Sequence, residues 1–416
     1  MTSTAAPAVS AAAPAPEKSG GRPPRRLLYI ATNYGALSET FVSDLVADLA
    51  GRDWEVTVVC SDAVPNVVPP PGVALKAVRF AQLTSATDRL AGKLERTFRG
   101  ASDWPRLMRS AARALGPAIA EARPDVAYVD DGRAASLAVG PLTAANVPFA
   151  VHFHGSDVTT SLADDAYRRS LPAVFDGAGA LVTASHHMRR LLVLEGADPE
   201  RCRVIRLAVR TDGVEPVPWA ERRTQPPSVA YFGRLTAKKH PVALIEAFAI
   251  ARRAVPNARL TMIGDGPERD RVVHRIKRLG LSDAVRLSPG VPRAEGLVTV
   301  AGHWVFAQHS VTAVSGDQEG FALSPAEAAL LELPIVSTWH NGIPEHVADG
   351  ETGLLVREHD YEAMGERLAE LLADPDRCEA MGRAGRERVS ALCPPNARGE
   401  AIDALLSELA DQGGAG

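Results

Sequence analysis

The chain has 416 residues, 46% of them apolar, and a formal net charge of −4; this length and composition suit a globular protein of two or three domains. Its mild acidity gives no electrostatic reason to expect a nucleic-acid partner, and no run approaches the roughly 18–20 unbroken apolar residues of a membrane span. Cys60, Cys202, Cys378 and Cys393 are scattered without paired metal spacing or the density of a disulfide framework, and read as buried free thiols.

Residues 1–25 are rich in Ala, Pro, Ser and Gly, and read as a disordered tail. Their positive charge follows the apolar residues instead of preceding them, so no secretory signal is expected in the tail and the protein is expected in the cytoplasm. Short β-rich runs then alternate with helical patterns. Leu27 to Thr32 predicts a buried strand, Ser38 to Leu49 an amphipathic helix capped by Ser38, and Glu55 to Cys60 the next strand. Further strands are expected at Asp125 to Val129, Phe149 to Phe153, Ala180 to Ala184 and Arg203 to Leu207.

Residues 211–227 are polar and carry Pro216, Pro218, Pro226 and Pro227, which suits a linker. Alternation restarts with strands at Ser228 to Phe232, Arg259 to Ile263, Ala284 to Ser288, Trp304 to Gln308, Pro334 to Thr338 and Gly353 to Val356. The pattern predicts an α/β protein of two doubly wound, Rossmann-like domains, residues 26–210 and 228–395, facing a central cleft. Residues 396–416 are expected to form a helix and tail that return to the first domain.

Several segments carry chemistry. Only six of the 46 basic residues are lysines, so the pair Lys238-Lys239 in Tyr231 to Pro241 stands out. Gly233 ends a strand and permits close backbone approach, while Arg234 and Lys239 suit either a diphosphate or a solvated basic turn. Gly264 to Pro267 (GDGP) lacks the third glycine of a dinucleotide fingerprint and reads as a tight turn. Ser324-Pro325-Ala326-Glu327 reads as a capping box, and the loop from Glu319 through Gly320, Phe321 and Ala322 to Leu323 offers amides at a positive helix end. Glu319 and Glu327 would face the hydroxyls of a nucleotide sugar, or Glu327 would only cap its helix.

His152 and His154 share one face of a strand by period two, which suggests a metal pair, but no third ligand is evident and no metal is expected. His154 reads as a cleft residue or a satisfied core histidine. Asp374 and Asp376 resemble a metal-binding pair but flank Pro375, where N-capping is expected. Asp88 to Arg113 carries seven basic residues against three acids; it is either a solvated helical face or a peripheral contact for anionic lipid at the inner face of the cell membrane.

Together these residues resemble the retaining glycosyltransferases of family 4, with the GT-B fold. The likeness spans nearly all of the chain after residue 26 and is strongest from Val229 to Val356. The family's Glu-x7-Glu signature falls on Glu319 and Glu327, its Gly-Arg-Leu-x-x-x-Lys element on Gly233, Arg234, Leu235 and Lys239, and its His-Gly-x-Asp element on His154, Gly155 and Asp157. Leu37 to Val42, the run HSVTAVSGDQEG and the run HNGIPEHVADGETGLLV are similar to the colanic acid and amylovoran type of exopolysaccharide enzyme.

The resemblance implies transfer of a hexose, with retention and without metal or cofactor, from a UDP- or GDP-sugar to a saccharide or lipid-linked acceptor. Arg234 and Lys239 would hold the diphosphate, Glu327 the ribose, Glu319 and the amides after it the hexose, and His154 would line the acceptor side near the reacting sugar. Asp157 and Gly233 are carried over as binding residues. The chain departs from the pattern at His240, where glycine is usual, at His309, where proline is usual, and at Ala208 to Arg210, and its first loop has no Gly-Gly pair. The alternatives are a small natural product as acceptor, or a silent nucleotide-sugar-binding protein.

Overall fold

The structure is a computed structural model, and it describes residues 24–35, 40–82 and 104–413. The tail up to residue 23, the predicted cap Ser38 and residues 88–103 of the basic segment lie outside the described residues.

Two parallel sheets organise the chain. The first contains β1 (Arg25–Tyr34), β2 (Trp54–Ala63), β3 (Ala74–Ala77), β4 (Val126–Val129), β5 (Phe149–Phe153), β6 (Ala180–Thr183) and β7 (Cys202–Val204). Its strands run in the order β3-β2-β1-β4-β5-β6-β7. The second contains β8 (Ser228–Phe232), β9 (Arg259–Ile263), β10 (Val285–Ser288), β11 (Val305–Ala307), β12 (Ile335–Thr338) and β13 (Gly353–Val356). Their order is β10-β9-β8-β11-β12-β13. Chain direction around each sheet reverses between β1 and β4 and between β8 and β11, and a crevice opens at the strand C-termini of such a reversal.

The strands are continuous apolar runs because both of their faces are buried. In β1, Leu28 and Ile30 join one core while Leu27, Tyr29 and Ala31 join the other, as a period of two requires. Each fully buried leucine or isoleucine contributes about 1.5–3 kcal/mol.

The helices that shape the site are α1 (Thr40–Ala50), α2 (Trp104–Ala122), α3 (Gly132–Ala144), α4 (Pro241–Ala254), α5 (Arg293–Ala301), α6 (Leu323–Leu330) and α7 (Ala397–Gly413). Although α7 follows the second sheet in sequence, its Ile402, Leu405, Leu406 and Leu409 pack in one core with Val42, Leu45, Val46 and Leu49 of α1. Arg398 Nη1 donates to the carbonyl of Phe41 at 2.7 Å, fastening this return.

The proline-rich connector, residues 211–227, contains a short helix, Trp219–Arg222. Trp219 packs in the second core. Arg222 is buried and donates to Leu331 O at 2.6 Å and Glu332 O at 2.9 Å, placing a cation on the open carbonyls that follow α6. Part of the connector therefore belongs to the second core.

The four cysteines are buried and free, with burial pushing Cys60 and Cys393 up to about 11 and Cys378 up to about 12. Among the described residues no helix is long and apolar enough to cross a membrane. Arg109 and Arg113 of the basic segment are exposed on α2.

Candidate active site

The crevice between β8 and β11 collects the charged residues of the second domain. Gly233 follows β8 directly, and the loop it opens turns at His240 into α4. Lys239 Nζ donates to Gln308 Oε1 at 3.2 Å and stands 3.0 Å from Glu319 Oε1. The ammonium sits over Gly233, where a Cβ would lie 3.6 Å from Nζ.

Burial alone would raise the Glu319 carboxyl, but Lys239 and then Lys238 outweigh it and hold the group at about 2. The approach of Lys239 is off the axis of a hydrogen bond, so Oε1 keeps an unfilled lone pair. Arg234 is exposed, and among the described residues its guanidinium bonds nothing. A free fork on the same loop as a fixed ammonium suits a diphosphate.

The loop from Glu319 to Leu323 is held from three sides. Glu319 N–H donates to His340 Nε2 at 3.1 Å, and His340 Nδ1 meets Glu358 Oε1 at 2.6 Å; the imidazole proton therefore sits on Nδ1. Asn341 Nδ2 donates to Glu319 O at 2.8 Å. From the first domain, Ser185 Oγ donates to Gly320 O at 2.9 Å. A Cβ on Gly320 would lie 2.1 Å from the carbonyl oxygen of His154, so glycine is what lets the two domains meet here. The amides of Gly320, Phe321 and Ala322 donate to no described group.

Glu327 corrects the sequence reading. The helix starts at Leu323, not at Pro325, after Ala322 in the left-handed conformation (φ 63°), and no side chain caps it. Ser324 and Glu327 thus form no capping box. Glu327 instead accepts from Arg293 Nε at 2.8 Å; burial raises its carboxyl, with Arg293 opposing. Arg293 comes from α5, so no local pattern announces the pair.

The crevice between β1 and β4 opens into a cavity of about 340 Å³, lined among others by Thr32, Phe41, Trp104, Asp130, Arg133 and His154. His154 Nε2 meets Asp130 Oδ1 at 2.8 Å. Burial lowers the imidazole, yet Asp130, helped by Asp157, outweighs it and raises the group above its ordinary value. Its ring stacks on His152 at 4.1 Å and faces Phe41 at 4.8 Å.

Asp130 is the carboxylate that sequence reasoning did not place beside the histidine pair; ligand-type atoms of Asp130, His152 and His154 lie within 4.8 Å of one another. The Tyr128 hydroxyl meets His152 Nδ1 at 2.6 Å, His152 Nε2 is buried without a hydrogen-bond partner, and burial holds His152 well below its usual value. An acid closing β4 at a sheet reversal was the available signal.

Asp157 has a defined task. Its carboxylate accepts from the amides of His154, Gly155 and Gly132 at 2.8–3.1 Å, tying the loop after β5 to the start of α3. It is buried and lines the cavity, with its oxygens already committed.

Other motifs resolve simply. The glycines of GDGP serve packing, since a Cβ on Gly264 would lie 1.9 Å from Gly233 O and one on Gly266 2.4 Å from Leu235 O. Asp374 caps its helix by accepting from Arg377 N at 3.0 Å. Two departures from the family pattern pack together: His240, at φ 39°, and His309 have ring centroids 5.7 Å apart.

Two reversal-point crevices, one holding fixed cations and the other a polar cavity, define a GT-B glycosyltransferase architecture. Residues 218–388 match the model for "Glycosyl transferases group 1" and residues 38–208 that for "Glycosyl transferase 4-like domain". The chain belongs to glycosyltransferase family 4, and is 31% identical over 294 residues to the GDP-mannose-dependent alpha-(1-6)-phosphatidylinositol monomannoside mannosyltransferase of Mycolicibacterium smegmatis, covering 68% of this chain and 77% of that protein.

It is 29% identical over 223 residues to the amylovoran biosynthesis glycosyltransferase AmsK of Erwinia amylovora, covering 53% of this chain and 54% of that one. The chain thus spans about half the length of that relative. Anabaena HepE, solved with UDP and glucose, shares the fold at a TM-score of 0.72 and 17% identity, over 92% of this chain and all of that one.

Proposed function

We propose that the protein moves a hexose, with retention at the anomeric carbon and without a metal ion, from a UDP- or GDP-sugar to a saccharide acceptor of an exopolysaccharide or cell-surface glycan. The observation that carries this reading is the charge arrangement after β8: Lys239 fixed against Glu319 and Gln308, with the Arg234 guanidinium unspent on the same loop. Negative charge grows on the departing diphosphate as the glycosidic bond breaks, and cations fixed beforehand stabilise that change more than they stabilise the bound donor. They take the place a metal ion would otherwise fill.

Glu319 faces the transferred hexose in this reading, with the unspent amides of Gly320, Phe321 and Ala322. Glu327 accepts from the ribose. His154, carrying its proton against Asp130, lines the acceptor side beside the cavity of the first domain. The donor classes come from the relatives: one is named as GDP-mannose-dependent, and one neighbour in fold was solved with UDP and glucose. The acceptor class follows the amylovoran relative, and the same reading allows a lipid-linked saccharide at a membrane surface.

Thermal melting in millimolar UDP and GDP tests the donor site. A bound nucleotide stabilises the folded state, by about 2.7 kcal/mol at a hundred times its dissociation constant. One of the two raises the melting temperature of the native protein, and Arg234→Ala removes the shift; a melting temperature unmoved by either nucleotide rejects the reading.

A further inference from the structure

Arg293 touches three separate parts of the molecule. Its Nε donates to Glu327 Oε1 at 2.8 Å, on the donor side of the second domain. Its Nη2 donates to Arg210 O at 2.5 Å and its Nη1 to Asp212 Oδ1 at 3.2 Å, both in the stretch that joins the two sheets. The same Nη1 lies 3.8 Å from Asp44 Oδ2, on α1 of the first domain. The guanidinium is largely enclosed, with its side chain 16% exposed.

We propose that Arg293 is a positioning residue for the donor: it holds the Glu327 carboxyl group aimed at the ribose, and it ties occupation of that site to the connector and to α1. The inference rests on the donor reading above. Burial drives Glu327 toward its neutral form; Arg293 is the foremost group opposing this, with Lys239 helping and Asp212 acting against it. A neutral carboxyl is a poor acceptor for two ribose hydroxyls, whereas the anion makes charge-assisted bonds. Arg293 uses Oε1 alone, and no described group bonds Oε2, so the second oxygen is open to a hydroxyl.

The rest of the guanidinium explains why this task falls to arginine. Its planar fork carries five donors in fixed directions, so a ligand that pulls on Glu327 also loads the bonds to Arg210 and Asp212. Lysine in the same place has one charge centre and cannot hold the three directions together. The charged groups facing Asp44 at the far end are Arg293, Arg210, Asp212 and Arg398, and Arg293 is the one among them that reaches Glu327.

The test uses the full chain with Arg293→Met and Arg293→Lys, and isothermal titration with UDP, GDP and their 2′,3′-dideoxy forms from pH 5.5 to 8.5. In the native protein the ordinary nucleotide binds more tightly than the dideoxy form, by on the order of tenfold. In Arg293→Met that advantage disappears near pH 6 and returns as the pH rises and Glu327 ionises. Arg293→Lys keeps part of it. Hydrogen exchange in residues 208–218 slows when the nucleotide binds the native protein and is unchanged by saturating nucleotide in Arg293→Met.

Equal, pH-independent weakening of both nucleotide forms overturns the proposal, because a residue that merely supports the local fold gives that result. Unchanged binding in Arg293→Met also overturns it. Failure of UDP and GDP to bind the native protein rejects the donor reading itself, and this inference with it.

Discussion

Lys239 and Glu319 lie 3.0 Å apart in the crevice between β8 and β11, so the cation assigned to the diphosphate and the carboxylate assigned to the hexose are each other's counter-ion. The lysine holds the carboxyl at about 2, so Glu319 is ionised at neutral pH. Residues acting as one unit lose their effects together. Lys239→Ala and Glu319→Ala should each lower donor turnover by about 10²–10³-fold, and the double variant by much less than the product of the two. A double-mutant cycle on nucleotide release measures this, and full additivity would show that the pair does not act as a unit.

Gly320 is one of the places where the two domains touch, with room for no Cβ beside the carbonyl of His154. Gly320→Ala should therefore hold the domains apart. Transfer is expected to fall at least about 10²-fold, since displacing reacting groups by an ångström has that cost. UDP or GDP affinity, which the proposed donor site assigns to the second domain, should stay within a few-fold of native by titration.

Against the lowering by burial, Asp130 is the foremost group that raises His154, with Asp157 helping. In Asp130→Asn the opposing charge is gone while burial remains, so the imidazole pKa should drop below its ordinary value of about 6.5. The C2 proton of His154, followed by NMR against pH, reports the midpoint directly. A midpoint unchanged by the substitution would mean that the contact carries no charge.

Stability should fall on mild acidification through buried neutral histidines of the second domain. Burial holds His309 at about 3 and His346 at about 4, whereas both take protons near pH 6.5 once unfolded. The unfolded state thus binds more protons between pH 6.5 and these folded values, and stability drops as the pH falls through that window. At pH 5 each histidine costs about 2 kcal/mol relative to neutral pH. Urea unfolding of the second domain at pH 7 and pH 5 shows it, and His309→Gln should reduce the difference.

The sequence made the strands of the second domain legible because burial on both faces produces unbroken apolar runs. Ser228 to Phe232, Arg259 to Ile263 and Gly353 to Val356 are strands over the expected residues. β3, Ala74–Ala77, was not read because it is a short edge strand with no buried residue. Four prolines made residues 211–227 look like a plain linker, but Trp219 and Arg222 are anchored in the second core.

Within the site, motif residues that neighbour each other in sequence were found, and partners distant in sequence were not. Glu327 fits a capping box locally, yet Arg293, 34 positions upstream, takes its carboxylate. His154 stood out beside Gly155, while Asp130 is 24 positions away on another strand. Parallel sheets create such pairs by placing the ends of separate strands side by side, which spacing along the chain does not record.

The most direct test of the account is nucleotide release from UDP-glucose and GDP-mannose by the native protein, Arg234→Ala and Lys239→Ala, with melting curves establishing that all three are folded. The native protein is expected to release UDP or GDP, and both variants to do so about 10²–10³-fold more slowly. Release by Lys239→Ala at the native rate would contradict it.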